Sequence, residues 1–177
     1  MRRGYGVRMK RRLRIFALAA VCAGVVVLSG CAPAEEPTPT PTAAFASDEE
    51  AFAAAEETYR AYVDALNEAR DGSDVDPLAF LVGDALTDSI EIVSLLRENE
   101  QTITGKTEVV SFSGERVAEG KTVGHVCIDV GDTRVLTLDG TDQTPDDRPE
   151  RAMLEVSFLK VDGQMRIGSS EAVELSC

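Results

Sequence analysis

The sequence predicts an α+β domain in which N-terminal helices pack on a curled antiparallel sheet. Three observations carry this. Between Ser47 and Asn99 the apolar residues recur at helical spacing. From Gln101 onward the chain turns into short β-branched and aromatic runs separated by Gly, Asp and Pro. The helical part precedes the strand part as a block, which argues for α+β rather than an alternating α/β fold.

Taken in order, Ser47-Asp48-Glu49-Glu50 reads as a capping box. The Ser47 hydroxyl and Glu50 carboxylate satisfy backbone N–H groups that have no partner inside the helix. Phe52, Ala55, Tyr59, Tyr62 and Leu66 then follow at spacings of three and four, along one helix face. The helix should stop near Arg70, with Gly72 free to take the left-handed conformation. Asp76-Pro77 looks like an N-cap and first-turn proline for a short helix through Leu81. A further helix is expected over Asp88–Asn99, burying Ile92, Leu95 and Leu96 with Ile90 or Val93 at its edges. Strands are expected around Val109–Phe112, Val123–Val130, Arg134–Leu138, Met153–Val161 and Gln164–Ile167. Asp162-Gly163 is the clearest hairpin turn, because it supplies the positive φ angles of type I′. Within the second strand Val126, Ile128 and Val130 share one face, and Val123, His125, Cys127 and Asp129 the other.

Ahead of this domain, residues 1–30 have the order of a secretory signal: seven basic residues up to Arg14, an apolar run over Ile15–Leu28, then small residues. The run is 14 residues long, short of the ~20 that a spanning helix needs. Leu28-Ser29-Gly30-Cys31 resembles the bacterial lipobox, which implies cleavage before Cys31 and lipidation of its thiol with palmitate-type acyl chains. Two or three such chains anchor stably where one does not. The competing reading is an ordinary signal peptide followed by a free Cys31. Residues 31–46, with Pro33, Pro37, Pro39 and Pro41 among Thr and Glu, read as a disordered tether. Residues 47–177 are then one domain, attached to the extracytoplasmic face of the membrane through Cys31.

With the seven leader cations removed from the 18 Lys and Arg, 11 remain against 31 Asp and Glu, a side-chain net of −20 over 147 residues. That excess argues against a nucleic-acid partner, whose phosphates require a basic patch. It fits a solvated acidic surface.

The helices-then-bent-sheet order, together with "HVCIDV", "LDGTDQTPDDRPERAMLEVSFLK" and a terminal cysteine, resembles the acidic lipoproteins of actinobacteria with a nuclear-transport-factor-like, or cystatin-like, cone domain. The resemblance covers roughly residues 47–177. It implies an apolar mouth between helix and sheet, in a fold that hosts enzymes and binding modules alike. Such sequences often carry a tryptophan in the last hairpin, where this chain has Met165.

Removal of Cys22 with the signal and lipidation of Cys31 leave Cys127 and Cys177, and export to an oxidising compartment favours their pairing. Two unpaired thiols are the alternative. The absence of a CxxC pair argues against dithiol catalysis.

The chemical inventory is thin. His125 is the sole histidine and lies in no nucleophile–base motif, so a structural role is expected for it rather than catalysis. Tyr59, Tyr62 and His125 are the candidate pocket residues, with Glu108, Asp129 and Glu155 as further groups that a mouth would gather. No metal site is expected. The weak candidates are Asp139, Asp142, Asp146 and Asp147, in a loop whose spacing does not match an EF-hand. No cofactor is expected either. The function anticipated is non-catalytic binding of a ligand or an envelope protein. The alternatives are a small-molecule isomerase, hydratase or hydrolase using a pocket carboxylate, and a structural surface lipoprotein.

Overall fold

The computed structural model describes residues 45–177. The expected signal, the expected lipidation at Cys31 and nearly all of the expected tether therefore lie outside the described residues. Among the described residues no helix is long and apolar enough to cross a membrane.

Helix α1 spans Asp48–Arg70 and begins as its sequence dictates. Ser47 Oγ accepts from the Glu50 N–H at 3.2 Å, and the Glu50 carboxylate accepts from the Ala46 N–H at 2.8 Å. Gly72, at φ 88°, closes its far end. A 3₁₀ turn over Pro77–Phe80, capped by Asp76, leads into α2 over Gly83–Glu98. The strands are β1 Gln101–Thr104, β2 Glu108–Ala118, β3 Lys121–Asp129, β4 Arg134–Thr137, β5 Arg151–Val161 and β6 Gln164–Val173. They form an antiparallel four-stranded sheet in the order β2-β3-β5-β6 and a separate β1-β4 pair. The α+β architecture expected from the sequence is the one observed. Asp162 and Gly163 make the β5–β6 turn with φ 51° and 81°, and Glu119-Gly120 repeats that device between β2 and β3.

Register sorts the sheet into two faces. Val126 pairs with Leu154 and Thr122 with Phe158, so these share the face that α1 covers. Ala55, Tyr59 and Val63 of α1 pack there with Val126, Val156, Phe158 and Ile167. Two glycines make room for aromatic rings on this face, one from α1 and one from β2. A Cβ on Gly114 would lie 2.3 Å from the Phe52 ring, and one on Gly124 would lie 2.7 Å from the ring of Phe112. His125 pairs with Glu155 and Cys127 with Met153, on the opposite face.

Three expectations are corrected. Helix α2 starts at Gly83 rather than Asp88, since Val82 takes the N-cap position with no side-chain hydrogen bond to announce it. Ile92 and Leu95 are not buried: they are 53% and 50% exposed, because α2 seats little more than Ala85 and Leu86 on the core. Strand β1 was not expected. It is four residues long and exists by pairing with the distant β4.

Candidate functional site

Between α1, α2 and the covered face of the sheet lies a cleft of about 280 Å³. Tyr59 and Tyr62, one helical turn apart on α1, form its aromatic wall, with ring centroids 5.9 Å apart and edge to face. Phe158 and Phe80 back these rings from outside the cleft, at 6.5 Å from Tyr59 and 6.4 Å from Tyr62. Burial pushes the Tyr59 hydroxyl well above its ordinary pKa; the Tyr62 phenol beside it adds to the shift, and a hydrogen bond with Ser170 opposes it. Tyr62 is raised for the same first reason, against a hydrogen bond with Ser89 and the charge of Arg70. Both phenols are therefore neutral donors at physiological pH.

Arg70, at the last turn of α1, lines the same cleft. Its Nη1 donates to Thr107 Oγ1 at 3.0 Å and to the Gly105 carbonyl at 3.4 Å. Thr107 is fixed in turn by Asn67, whose Nδ2 donates to the Thr107 carbonyl at 2.9 Å and whose Oδ1 accepts from the Thr107 N–H at 3.0 Å. Partial burial lowers the Arg70 pKa, opposed by Tyr62. Among the described residues no carboxylate forms a salt bridge with it. Asp88 and Ser89 stand on the α2 side, and Asp88 is the cleft's carboxylate. A wider groove of about 550 Å³ runs along another side of α1, but it is flanked by exposed charges such as Arg60, Asp64 and Glu68 and has less of the apolar wall that holds a small molecule.

The structure thus brings Tyr59 and Tyr62 together and leaves His125 out. His125 projects from the opposite face of the sheet, because odd positions of β3 point away from the helices. Glu108, Asp129 and Glu155 do not line the cleft either. Arg70, Asp88 and Ser89 were missed as site residues. Arg70 was visible only as the end of a helix, and Asp88 and Ser89 depend on how α2 sits.

Two of the loop aspartates, Asp139 and Asp142, serve their own turns. Asp139 Oδ1 accepts from Thr137 Oγ1 at 2.5 Å and from the Thr141 N–H at 3.1 Å, and Asp142 Oδ1 accepts from the Thr144 N–H at 2.8 Å. These bonds hold both carboxyls below the usual aspartate range, led by Thr137 for Asp139 and Thr144 for Asp142. Cys127 and Cys177 stand at disulfide distance, with Cα atoms 5.5 Å apart.

No family profile matches the chain. No curated protein matches it either. Among similar solved structures, the Aln2 protein of a Streptomyces species is 13% identical over 70% of this chain and 89% of its own, at a TM-score of 0.42. An uncharacterised protein with a cystatin-like fold from Caulobacter vibrioides is 18% identical over 69% and 89%, at 0.41. Kfla4162 from Kribbella flavida is 10% identical over 72% and 92%, at 0.46. Likeness of this degree concerns the course of the chain and says nothing of chemistry.

Proposed function

We propose that this chain is a lipid-anchored extracytoplasmic protein whose domain binds a small amphipathic anion in the cleft without transforming it. The lipobox-like Leu28-Ser29-Gly30-Cys31 supports the anchor. The carrying observation for binding is the pairing of an aromatic wall, Tyr59 and Tyr62, with the partly buried Arg70 in one cleft. The wall suits an apolar or aromatic body. A guanidinium that burial has partly stripped of water gains more from an anionic group than an exposed one does. The sole histidine lies on the other face of the sheet, which favours binding over acid–base chemistry there.

The protein carries its own reporter. It has no tryptophan and three tyrosines, of which Tyr5 falls in the leader, so emission from the processed chain comes from the cleft pair. Titration with anilinonaphthalene sulfonate, an aromatic anion, should saturate and quench that emission. Arg70→Met should weaken it about tenfold, the equivalent of ~1.4 kcal/mol. Non-saturating binding, or equal affinity in folded Arg70→Met protein, would overturn the reading.

A second reading is favoured by α2, which exposes Ile90, Val93 and Leu95 among Asp84, Asp88, Glu91 and Glu98. That surface suits an envelope protein with an apolar, cationic docking segment. Substituting Ile90 and Leu95 by Ser would abolish such a contact and leave cleft binding intact.

A further inference from the structure

On the face of the sheet opposite α1, β2, β3 and β5 bring together three metal-ligating groups. His125 Nε2 lies 4.0 Å from Glu115 Oε2 and 3.9 Å from Glu155 Oε2. All three side chains offer a ligand atom within 4.8 Å of the others. We propose that Glu115, His125 and Glu155 form a binding site for a divalent transition cation of the Zn²⁺ class.

Backbone geometry builds the triad. His125 and Glu155 are directly opposite in the β3–β5 register. Glu115 lies two residues beyond Ser113, the β2 partner of His125, so strand alternation puts it on the face of His125, and the register shift between Gly114 and Arg116 leaves it without a direct partner on β3. Arg116 Nη1 holds Glu115 Oε1 at 2.6 Å, leaving Oε2 as the oxygen nearest the imidazole. Such an outer partner orients a ligand. Glu171 of β6 stands opposite Glu155 on the far side, so two like charges meet across one strand pair. That arrangement is unfavourable until a cation offsets it.

The chemistry of the donors selects the ion. One imidazole nitrogen with two carboxylate oxygens is a Zn²⁺-type set, whereas Mg²⁺ and Ca²⁺ take oxygen donors throughout. Donors about 2.0–2.1 Å from a tetrahedral ion are roughly 3.3 Å apart. The triad therefore contracts by less than about 1.5 Å, within reach of two glutamates whose side chains are 36% and 44% exposed. Three protein ligands leave a fourth position open to water or to a donor from another molecule. The neighbouring Cys127 contributes no thiolate while its sulfur is paired with Cys177.

Because His125 is the chain's sole histidine, its imidazole resonances are unambiguous. The protein, stripped with EDTA and desalted, is titrated with ZnCl₂ at pH 7.5, with heat and the His125 ring signals followed together. MgCl₂ and CaCl₂ serve as controls. The expected result is one Zn²⁺ per chain with a shift of the His125 signals, and at least tenfold weaker binding in Glu155→Gln and in His125→Gln. Melting curves of both variants report that they are folded. No binding heat, an unmoved His125 signal, or stoichiometric binding unchanged in the two variants would overturn the site, as would equal heat from Mg²⁺.

Discussion

The two faces of the four-stranded sheet are built from the same strands and do opposite things. One meets α1 and buries Val126, Val156, Phe158 and Ile167 around the aromatic cleft. The other lies away from α1 and α2, yet Val123 and Cys127 are 2% and 1% exposed there, beside the polar row of His125 and Glu155. Packing density holds the first face. The second depends on local links, namely the pairing of Cys127 with the chain terminus and a 2.7 Å hydrogen bond between the Ser157 and Ser169 hydroxyls. The contrast teaches that one strand pattern, alternating every second residue, can serve a core and a charged surface at once.

The comparison breaks most visibly at Phe158. Replacing it by Ala removes the ring that touches both Tyr59 and Phe112, and should cost about 3–5 kcal/mol in urea unfolding. On the other face Cys177→Ser releases the terminus. It should cost about 2–4 kcal/mol under oxidising conditions and nothing further once a reductant is present. Equal stability of the two proteins without reductant would mean that the pair contributes nothing.

Gly114→Ala tests the close approach of α1. The new methyl meets the Phe52 ring and backbone relief is limited, so a loss of about 1–3 kcal/mol is expected, whereas Phe52→Ala in the same background should recover part of it. Alkaline pH probes the same interface through Tyr59. Its folded-state pKa is raised, so its contribution is complete below about pH 10, where tyrosine ionises in the unfolded chain, and is lost as pH rises from there. Between neutral pH and pH 11 the loss should reach roughly 1.4 kcal/mol, and Tyr59→Phe should flatten the curve. The smallest effect belongs to α2. Ile90→Ser should change stability by less than about 0.5 kcal/mol, since that side chain is already half in water.

How much of this was legible in the sequence follows from the range of the forces involved. Helix α1 was readable because its cap, its apolar spacing and its terminating glycine all act within a few residues. The start of α2 was not, because Val82 leaves no capping signature. Its exposed Ile92 and Leu95 look like core residues in any one-dimensional pattern, and only the placement of the helix against β6 and β1 decides otherwise. In the cleft, Tyr59 and Tyr62 were legible as an aromatic pair on one helix face. Arg70 and Asp88 were not, since their convergence depends on how two helices meet one sheet.

The sequence by itself determined the α+β order, the limits of α1, the Asp162-Gly163 turn and the alternation along β3, all consequences of local conformational preference and strand period. The tertiary structure alone decided which face of β3 the helices cover. It thereby put Tyr59 in the cleft and His125 outside it, and through the β2–β3 register it brought Glu115 to His125. Those outcomes come from pairings between residues far apart in the chain, whose energies belong to the register and the packing rather than to any segment alone.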